Sequence, residues 1–316
     1  MKIVFLDLKT VGIIPNLHLL EQFGEVTYYQ TTLPEFVSER IKEAEIVITN
    51  KVVLDKITIE KAQNLKLICV SATGTNNVDQ EAALERGIPV KNAIDYSSNS
   101  VAQGTFSLLL HLMCNIPYYD TYVKNGSYSQ TDIFTHFSEP FWELSGKRFG
   151  IIGLGNIGRK VAKIAEAFGS EVVYYSASGQ NNQQEYLKLD LEEFLSSSDI
   201  ISIHAPLNTC TSNLINYSRL KLMKSTAILI NAGRGGIVNE VDLARAIDEG
   251  LIAGAGIDVF EKEPIDIENP LLKIKNKHRI ALTPHITWAS IESRTLLIEK
   301  VAGHIGEFIA KSSEIR

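Results

Sequence analysis

The sequence predicts an α/β protein made of two doubly wound parallel sheets. Its 316 residues are long for one domain and comfortable for two. Short apolar segments alternate with helical patterns along most of the chain, as expected for parallel strands joined by helices. At one of these junctions, residues 153–158, a glycine-rich turn separates an apolar run from a helical pattern. Together these observations favour two α/β domains.

In the first part of the chain, strands are predicted at 2–8, 26–30, 46–49, 65–71 and 90–92. Helical patterns lie between them at 17–23, 34–44, 58–62 and 79–86. The segment SATGTNN follows the fourth strand directly, at the carboxyl end where open α/β sheets bind ligands. Amides around Thr73 and Gly74 could bind a carboxylate there, although a plain strand-to-helix loop explains the segment equally well.

A long apolar helix is predicted next, at 98–114, with Ser98 or Ser100 as its N-cap and a place between the two domains. Residues 115–146 are polar and aromatic and are predicted to form a long loop. A loop of this length in a compact chain is often functional, and an arm that contacts another subunit is one interpretation. The other is an irregular surface loop over a local aromatic cluster.

The glycine-rich turn contains the pattern G-x-G-x-x-G between a strand and a helix. Gly153 permits the tight turn, Gly155 lets the backbone approach a pyrophosphate, and Gly158 lets the helix and strand pack closely. The helix N-terminus then presents N–H groups and a partial positive charge to the phosphates. The turn therefore predicts a dinucleotide site, with a tight turn in an ordinary α/β domain as the alternative.

The residue that ends the next strand, predicted at 171–175, governs the adenosine ribose in such a site. That residue is Ser176, which lies 23 residues after Gly153, close to the expected spacing of about 20. An acidic residue there would bind the ribose hydroxyls and select NAD, and a nearby Arg would favour a 2′-phosphate. The segment SASGQNNQQ contains neither. The choice between NAD and NADP therefore stays open, and the absence of a dedicated cation favours NAD.

The alternation continues to the end of the chain. Strands are predicted at 200–204, 227–231, 255–259 and 280–283, and helices at 218–223 and 240–249. A final helix at 290–310 is expected to pack back on the first domain. The predicted organisation is therefore a Rossmann dinucleotide-binding domain at 99–284, inserted in a flavodoxin-like substrate domain formed by 1–98 and 285–316.

Composition excludes several classes of protein. A net charge of −6 without a basic run argues against a nucleic-acid partner. No apolar run reaches the roughly 18 residues of a membrane span, and the first residues do not resemble a secretory signal, so a cytoplasmic protein is expected. Cys69, Cys114 and Cys210 are widely spaced in apolar surroundings, which favours reduced core thiols over disulfides or a metal site.

Polar residues follow the last strands of the predicted cofactor domain. Arg234 is flanked by glycines after one strand, Glu263 follows the next, and His285 follows the last. A guanidinium can donate hydrogen bonds to a carboxylate and to a neighbouring carbonyl oxygen at the same time. An imidazole bonded to a carboxylate can donate a proton near neutral pH. Each residue also has a structural explanation: a salt-bridge partner, a loop acid or a core histidine, as we expect for His204. The set in this order predicts hydride transfer to a 2-keto acid.

This set of segments resembles the D-isomer-specific 2-hydroxyacid dehydrogenase family over essentially the whole chain. The segments are SATGTNNVD, SVAQGTFSLLL, GLGNIGR, HAPLNTCT, INAGRGGIV, GIDVFEKEP and TPHITWAS. The resemblance implies that Arg234, Glu263 and His285 are the catalytic residues and that a small 2-keto or 2-hydroxy acid is the substrate. It also implies a homodimer.

The resemblance further implies a cofactor site for NAD(P)H. Asn156 and Ile157 would contact the pyrophosphate, and Thr105 would lie near the nicotinamide. The remaining lining residues would be Ala205, Pro206, Thr211, Ala232 and Asp258. Thr73 and Gly74 match the substrate-carboxylate loop of the family.

The form His-x-x-Trp-Ala-Ser, with Trp288, is most similar to the glycerate dehydrogenase/hydroxypyruvate reductase branch. Trp288 beside the histidine suggests a confined pocket for a short polar substrate, such as hydroxypyruvate or glyoxylate. The alternatives are a dehydrogenase of the D-lactate or phosphoglycerate type, and a non-enzymatic NAD-sensing protein similar to the corepressors of the same superfamily.

Overall fold

The computed structural model describes residues 1–180 and 185–314. Contacts within the chain divide it into two compact units, Met1–Ser97 with Ala289–Arg316, and Ser98–Trp288. Compared with the predicted boundaries, Ser98 and residues 285–288 fall in the second unit instead of the first. The residues of the His-x-x-Trp segment therefore belong to the same unit as the glycine-rich turn.

The first unit contains a five-stranded parallel sheet. Its strands are β1 (Lys2–Phe5), β2 (Glu25–Tyr28), β3 (Ile46–Thr49), β4 (Leu67–Val70) and β5 (Val90–Asn92), with helices α1 (His18–Glu21), α2 (Val37–Ile41), α3 (Lys56–Lys61) and α4 (Gln80–Glu85) between them. The strand order is β2-β1-β3-β4-β5, the flavodoxin-like order. Every residue of β3 and β4 is buried, as expected for central parallel strands covered on both faces.

The second unit contains a seven-stranded parallel sheet. Its helices are α5 (Ser98–Met113), α6 (Ile116–Lys124), α7 (Asn156–Ala167), α8 (Leu191–Ser197), α9 (Tyr217–Leu220) and α10 (Glu240–Asp248). Its strands are β6 (Arg148–Ile152), β7 (Glu171–Tyr175), β8 (Leu187–Lys188), β9 (Ile200–Ile203), β10 (Ile228–Asn231), β11 (Gly254–Ile257) and β12 (Ile280–Leu282). The order β12-β11-β10-β9-β6-β7-β8 is the Rossmann order extended by one strand.

Alternate residues of the second sheet enter two separate apolar cores. Ile201 and Ile203 of β9 belong to a core that includes Phe194 of α8 and Leu243 of α10, whereas Ile200 belongs to the core that contains α5 and α7. Because successive side chains of a strand point to opposite faces, helices cover both faces of the sheet. The predicted fold class, two doubly wound parallel-sheet domains, is confirmed.

The last helix, α11 (Ile291–Glu314), returns to the first unit and contacts β4 and α1. Leu297, Ile298, Val301 and Ile305 on its inner face have no exposed surface. Arg294 Nη1 donates to the carbonyl of Val11 at 2.8 Å and ties the helix to the loop after β1. The core of the first unit is therefore completed only by the end of the chain.

Several local predictions were wrong. Helix α5 begins at Ser98, so Ser98 and Ser100 lie inside the helix and neither is its N-cap. The segment 115–146 contains helix α6 and a 3-10 turn at Tyr128–Gln130, so it is not all loop; a proline in the first turn favours the start of α6.

The sequence did not predict β8 and α8. β8 has only two residues, and the apolar pattern of α8 extends over only seven. Cys69 is buried as predicted, but Cys114 is half-buried and Cys210 is exposed, because Cys210 lies in the loop after β9. The segment SASGQNNQQ bears on the choice between NAD and NADP, and its last four residues, 181–184, lie outside the described residues.

None of the helices in the described part of the chain is long and apolar enough to span a membrane. The same residues contain no group of histidine, cysteine and acidic side chains arranged to hold a metal ion.

Candidate active site

One edge of the second sheet collects most of the predicted site residues. The last residues of six neighbouring strands are paired side by side across the sheet. They are Tyr175, Ile152, Ile203, Asn231, Ile257 and Leu282. The residues that directly follow this row are Ser176, Gly153, His204, Ala232, Asp258 and Thr283. Parallel strands deliver their carboxyl ends to one edge, and a ligand of a doubly wound sheet binds there.

The glycine-rich turn, residues 153–158, is built for close approach of its own backbone segments. Gly153 has φ 91°, and a Cβ on it would lie 2.7 Å from the backbone nitrogen of Ala205. A Cβ on Gly158 would lie 2.3 Å from the carbonyl oxygen of Gly153. At Gly155, by contrast, an added Cβ would meet no atom within 4 Å. Two of the glycines therefore serve packing, and the third leaves open space beside the backbone.

The open side of this turn fits a pyrophosphate. Helix α7 begins at Asn156, and its N-cap residue, Gly155, has no side chain that could accept from the N–H groups of the first turn. Asn156 is exposed and Ile157 is half-buried against the core. A negatively charged group is favoured at such a helix N-terminus by the N–H donors and the helix dipole.

Ser176 occupies the position beyond β7 and is buried, with 9% of its surface exposed. Its carbonyl accepts from Gly179 N at 3.2 Å, which closes the turn after the strand. The side chain is neutral, so this position supplies neither a carboxylate for ribose hydroxyls nor a cation for a phosphate.

The loop after β9 is braced internally by Thr211. Its hydroxyl donates to the carbonyl of Pro206 at 2.6 Å and accepts from Asn208 N at 2.8 Å. Ala205 is buried, with its backbone against Gly153, whereas Pro206 is exposed. Thr211 is buried, so its contribution to a binding site is to fix the loop's shape.

His204, which precedes this loop, is a partly satisfied histidine of the strand end. Its Nε2 lies 2.8 Å from Ser202 Oγ, and its Nδ1 is buried without a partner among the described residues. Burial lowers the pKa of His204 to about 3, so the ring is neutral at physiological pH. The structural interpretation of this residue agrees with its surroundings.

Arg234 lies in an exposed loop after β10 that Asn231 supports. The Asn231 side chain accepts from Gly233 N at 3.1 Å and donates to the carbonyl of Arg234 at 3.0 Å. Ala232 between them is buried. Arg234 Nη1 donates to the carbonyl of Gly233 at 2.8 Å, which leaves further guanidinium donors on an exposed side chain.

The loops that carry Arg234 and Glu263 are in contact. A Cβ on Gly235 would lie 1.9 Å from the carbonyl oxygen of Phe260, so only glycine allows this approach. Phe260 N in turn donates to Glu263 Oε1 at 3.1 Å. The predicted arginine and glutamate therefore lie on adjoining backbone segments.

His285 and Glu263 form the pair that the sequence predicted. His285 Nδ1 lies 2.7 Å from Glu263 Oε2, and both side chains are partly accessible, at 26% and 33%. Because the other carboxylate oxygen accepts from Phe260 N, the glutamate is held at both oxygens. With Nδ1 engaged, the imidazole nitrogen available to a ligand is Nε2.

The His285 loop, residues 283–288, is anchored by Asp258. This carboxylate is 1% exposed and accepts from the hydroxyls of Thr283 and Thr287, each at 2.6 Å. It also accepts from Ile286 N at 2.9 Å and Thr287 N at 3.1 Å. Asp258 therefore holds the loop, and both of its carboxylate oxygens are engaged in that task.

The remaining predicted residues lie in several parts of the structure. Thr105 is fully buried in α5, and its hydroxyl donates to the carbonyl of Val101 at 2.8 Å. Thr73 and Gly74 belong to the first unit, in the turn after β4, where Thr73 Oγ1 donates to the carbonyl of Ala93 at 3.1 Å. Trp288 is half-buried at the end of the His285 loop.

Sequence reasoning missed the residues that support the site. Besides Asn231 and Thr287, Glu240 at the start of α10 accepts from Glu261 N at 2.8 Å and from Asn269 Nδ2 at 2.6 Å. These bonds hold the loop on both sides of Glu263. The available signals in the sequence were Asn231, which lies close to Gly233, and Glu240, which lies in the first turn of α10. The partners of Glu240 are distant in sequence, so its role could not be read locally.

Comparisons with known proteins identify the family of this chain. The model of the D-isomer specific 2-hydroxyacid dehydrogenase NAD binding domain matches residues 106–287. A glycerate dehydrogenase from Methylorubrum extorquens is 36% identical over 98% of this chain and 96% of its own length. A hydroxypyruvate reductase from Blautia hydrogenotrophica is 38% identical, over 93% of this chain and 92% of its own.

A crystal structure of D-lactate dehydrogenase from Aquifex aeolicus, complexed with NAD and lactic acid, superposes with a TM-score of 0.82 and 26% identity. The match covers 99% of this chain and 97% of that one. The resemblance identified from the sequence is thus confirmed at the level of fold, of family model and of full-length relatives. The chain belongs to the D-isomer specific 2-hydroxyacid dehydrogenase family and is an oxidoreductase with a nicotinamide cofactor.

Proposed function

We propose that this enzyme reduces a small 2-keto acid, hydroxypyruvate or glyoxylate, to D-glycerate or glycolate. The observation that carries the proposal is the His285–Glu263 pair, which lies at the same sheet edge as the Arg234 loop and the glycine-rich turn. The names of the full-length relatives, glycerate dehydrogenase and hydroxypyruvate reductase, support this substrate class.

In the proposed mechanism His285 supplies the proton. When bound, the reduced nicotinamide supplies a hydride to C2 of the keto acid, and the carbonyl oxygen becomes an alkoxide that needs a proton. His285 donates that proton from Nε2, while Glu263 accepts from Nδ1 and stabilises the protonated ring. In the opposite direction the neutral imidazole accepts the proton from the 2-hydroxyl group.

Arg234 is proposed to bind the substrate. Its guanidinium can donate to a carboxylate oxygen and to the carbonyl oxygen that receives the proton, and it stabilises the negative charge that develops there. The brace by Asn231 and the glycine contact at Gly235 hold the loop backbone, so the long side chain starts from a fixed point. We also propose that the amides of Thr73 and Gly74, in the turn after β4, bind a carboxylate.

Trp288 is proposed to limit the size of the substrate side chain. It lies three residues after His285, at the end of a loop that Asp258 holds in place. A bulky rigid ring at that position favours the hydroxymethyl group of hydroxypyruvate, or the hydrogen of glyoxylate, over longer side chains.

The proposed cofactor is NADH in preference to NADPH. The glycine-rich turn and α7 fit the pyrophosphate, with Asn156 and Ile157 in the first turn of the helix. Ala205, Pro206, Thr211, Ala232 and Asp258 follow neighbouring strands at the same edge, and Thr105 lies in α5. At Ser176 there is no cation to attract a 2′-phosphate, which favours NAD.

We further propose a cytoplasmic homodimer. Phe134, Phe137 and Trp142 are exposed, at 90%, 79% and 60%, in the segment that follows α6. Exposed aromatic residues in such a cluster are typical of surfaces that contact another protein. Sedimentation of the purified chain at two concentrations would measure its oligomeric state.

A steady-state panel tests the proposed reaction. Hydroxypyruvate, glyoxylate, pyruvate and 2-ketobutyrate are each supplied with NADH and with NADPH, and oxidation of the cofactor is followed at 340 nm. We expect kcat/KM to be highest for hydroxypyruvate or glyoxylate with NADH. A preference for pyruvate or 2-ketobutyrate would instead indicate a lactate-type enzyme, and no turnover of any acid would contradict the proposal.

A further inference from the structure

The His285 loop is held by contacts that are not themselves part of the proposed reaction, and Thr287 takes part in several of them. Thr287 is buried two residues after the histidine. Its hydroxyl donates to Asp258 Oδ2 at 2.6 Å, and its backbone N–H donates to the same oxygen at 3.1 Å. Its carbonyl accepts from Ser100 Oγ of α5 at 2.6 Å.

Helix α5 also touches the side chain of Thr287. A Cβ on Gly104 would lie 2.6 Å from Thr287 Cγ2 and 2.7 Å from Thr287 Cβ. The helix backbone therefore packs directly against the threonine, at a distance that only glycine permits. Thr287 is consequently fixed through four different parts of the residue: the hydroxyl, the backbone N–H, the carbonyl and the methyl group.

His285 has a backbone conformation that needs such support. Its φ is 52°, in the left-handed region that residues other than glycine seldom adopt. This conformation is unfavourable and persists where surrounding contacts impose it. His285 N donates to the carbonyl of Asp258 at 2.8 Å, while the residues on both sides bind the Asp258 carboxylate. A residue fixed in this way has its side-chain direction fixed as well.

We propose that Thr287 is a positioning residue of the reaction, which joins Asp258 and helix α5 to the His285 loop and thereby keeps the imidazole at hydrogen-bond distance from Glu263. The inference rests on the proposed function, because that function assigns the His285–Glu263 pair to proton transfer. It predicts that loss of the hydrogen bond between Thr287 and Asp258 lowers the rate of the chemical step.

Two substitutions separate the hydroxyl from the methyl group. Thr287→Val keeps the shape and removes the donor to Asp258, whereas Thr287→Ser keeps the donor and removes Cγ2. A misplacement of about 1 Å can cost about 10²-fold in rate, so we expect kcat to fall roughly 10–100-fold in Thr287→Val and less than about threefold in Thr287→Ser. The KM of the keto acid and the Kd of NADH should change by less than about twofold in both.

Helix α5 offers a matched pair of serines. Ser100→Ala removes the hydrogen bond to the carbonyl of Thr287 and should lower kcat. Ser107→Ala removes an exposed hydroxyl that donates to Gln103 within the same helix at 2.9 Å, and it should behave as wild type. Equal kcat in both variants would argue that α5 does not support the loop.

A measurement without substrate keeps this inference separate from the proposed function. In the apoenzyme, ¹⁵N-histidine NMR should show His285 as the Nδ1–H tautomer bound to Glu263, and Thr287→Val should weaken or remove this signature while Thr287→Ser keeps it. If the wild-type enzyme reduces none of the four acids, the proposed function fails, but the NMR comparison still tests the positioning.

The proposal is wrong if Thr287→Val retains the wild-type kcat and NMR signature. It is also wrong if Thr287→Val and Thr287→Ser show equal decreases in activity, in affinity for NADH and in melting temperature. Thr287 would then only support folding.

Discussion

The carboxylate of Glu263 is held at both oxygens, one by a backbone N–H and one by the imidazole of His285. A glutamate in this situation has little freedom to rotate away from the histidine. Its charge strengthens the hydrogen bond with Nδ1, and its position fixes which ring nitrogen faces the ligand. Both effects come from one side chain.

Replacement of Glu263 by glutamine should therefore lower kcat/KM for reduction at neutral pH. The amide retains the shape but carries no charge, so the charge-assisted hydrogen bond with His285 Nδ1 is lost. Removing the acid–base residue itself, in His285→Gln, should cost about 10²–10⁴-fold. Steady-state rates at neutral pH would measure both effects.

Glu261→Gln is the matched control for this experiment, because Glu261 is an exposed acid two residues away whose backbone, not its side chain, is bound by Glu240. Its kcat/KM at neutral pH should match that of the wild type. Equal losses in Glu261→Gln and Glu263→Gln would indicate a general effect of surface charge and would contradict a specific role for the pair.

At the residue scale, the sequence could predict the contact between Glu263 and His285, because the two residues follow neighbouring strands of the second sheet. It could not predict the hydrogen bonds that the other side chains make. The hydroxyl of Thr105, for example, is buried and donates to the carbonyl one helical turn earlier. The role of Asp258 as the anchor of the His285 loop depends on partners 25 to 29 residues away.

At the scale of elements, the junction of β6 and α7 separates two uses of glycine. Gly158 is required by packing, since any Cβ would collide with the backbone at Gly153. Gly155 faces open space, so the protein itself does not require glycine at that position. If the open space is where the pyrophosphate binds, only the bound enzyme requires Gly155.

Alanine substitutions should therefore have different effects at the two positions. Gly155→Ala should leave the melting temperature of the apoenzyme unchanged and weaken NADH binding, because the methyl group would occupy the space of the phosphates. Gly158→Ala should lower both, because the strand–helix contact has to open. Thermal unfolding and fluorescence titration with NADH would measure the two effects, and normal NADH affinity in Gly155→Ala would mean that the cofactor does not approach this residue.

The order and type of the longer elements could be read from the sequence because apolar periodicity is strong where an element is buried. Strands β3, β5 and β7 have the predicted bounds, and α7 follows its glycine turn as expected. Weakly buried elements gave no such signal. Helix α6 has no buried residue, and both residues of β8 are exposed, so their formation depends on neighbours that the local sequence does not reveal.

At the scale of the whole molecule, His204 makes the free energy of unfolding depend on pH. The pKa of this group is lowered from 6.5 to about 3 by burial, so below pH 6.5 the unfolded chain binds a proton that the folded chain does not. Stability from this group is therefore fully present above pH 6.5 and is lost as the pH falls toward 3. One pKa unit corresponds to about 1.4 kcal/mol, which gives a loss of up to about 2 kcal/mol by pH 5.

Urea unfolding of the apoenzyme at pH 7, 6 and 5 would measure this loss. In His204→Asn the pH dependence over this range should be weaker than in the wild type, whereas the exposed His278→Asn should not alter it. An unchanged slope in His204→Asn would show that other groups control the acid stability.

The return of α11 to the first unit makes that unit depend on the last residues of the chain. Leu297 is fully buried, while its neighbour Leu296 is 37% exposed, so the two leucines form a natural comparison. Leu297→Ala should lower the free energy of unfolding by about 2–5 kcal/mol, and Leu296→Ala by much less. Denaturant unfolding of the two variants would test this, and similar losses would contradict the inner face assigned to the helix.

The same arrangement has a consequence during synthesis on the ribosome. β5 ends at Asn92 and α11 begins at Ile291, so roughly 200 residues emerge between the first sheet and the helix that covers it. At about 5–20 residues per second, the apolar surface beneath α11 stays bare for about 10–40 s. The inserted unit, whose seven strands are continuous in sequence, can fold during that interval. The nascent chain therefore has its greatest need of chaperones after its first sheet has been made and before its last helix has left the ribosome.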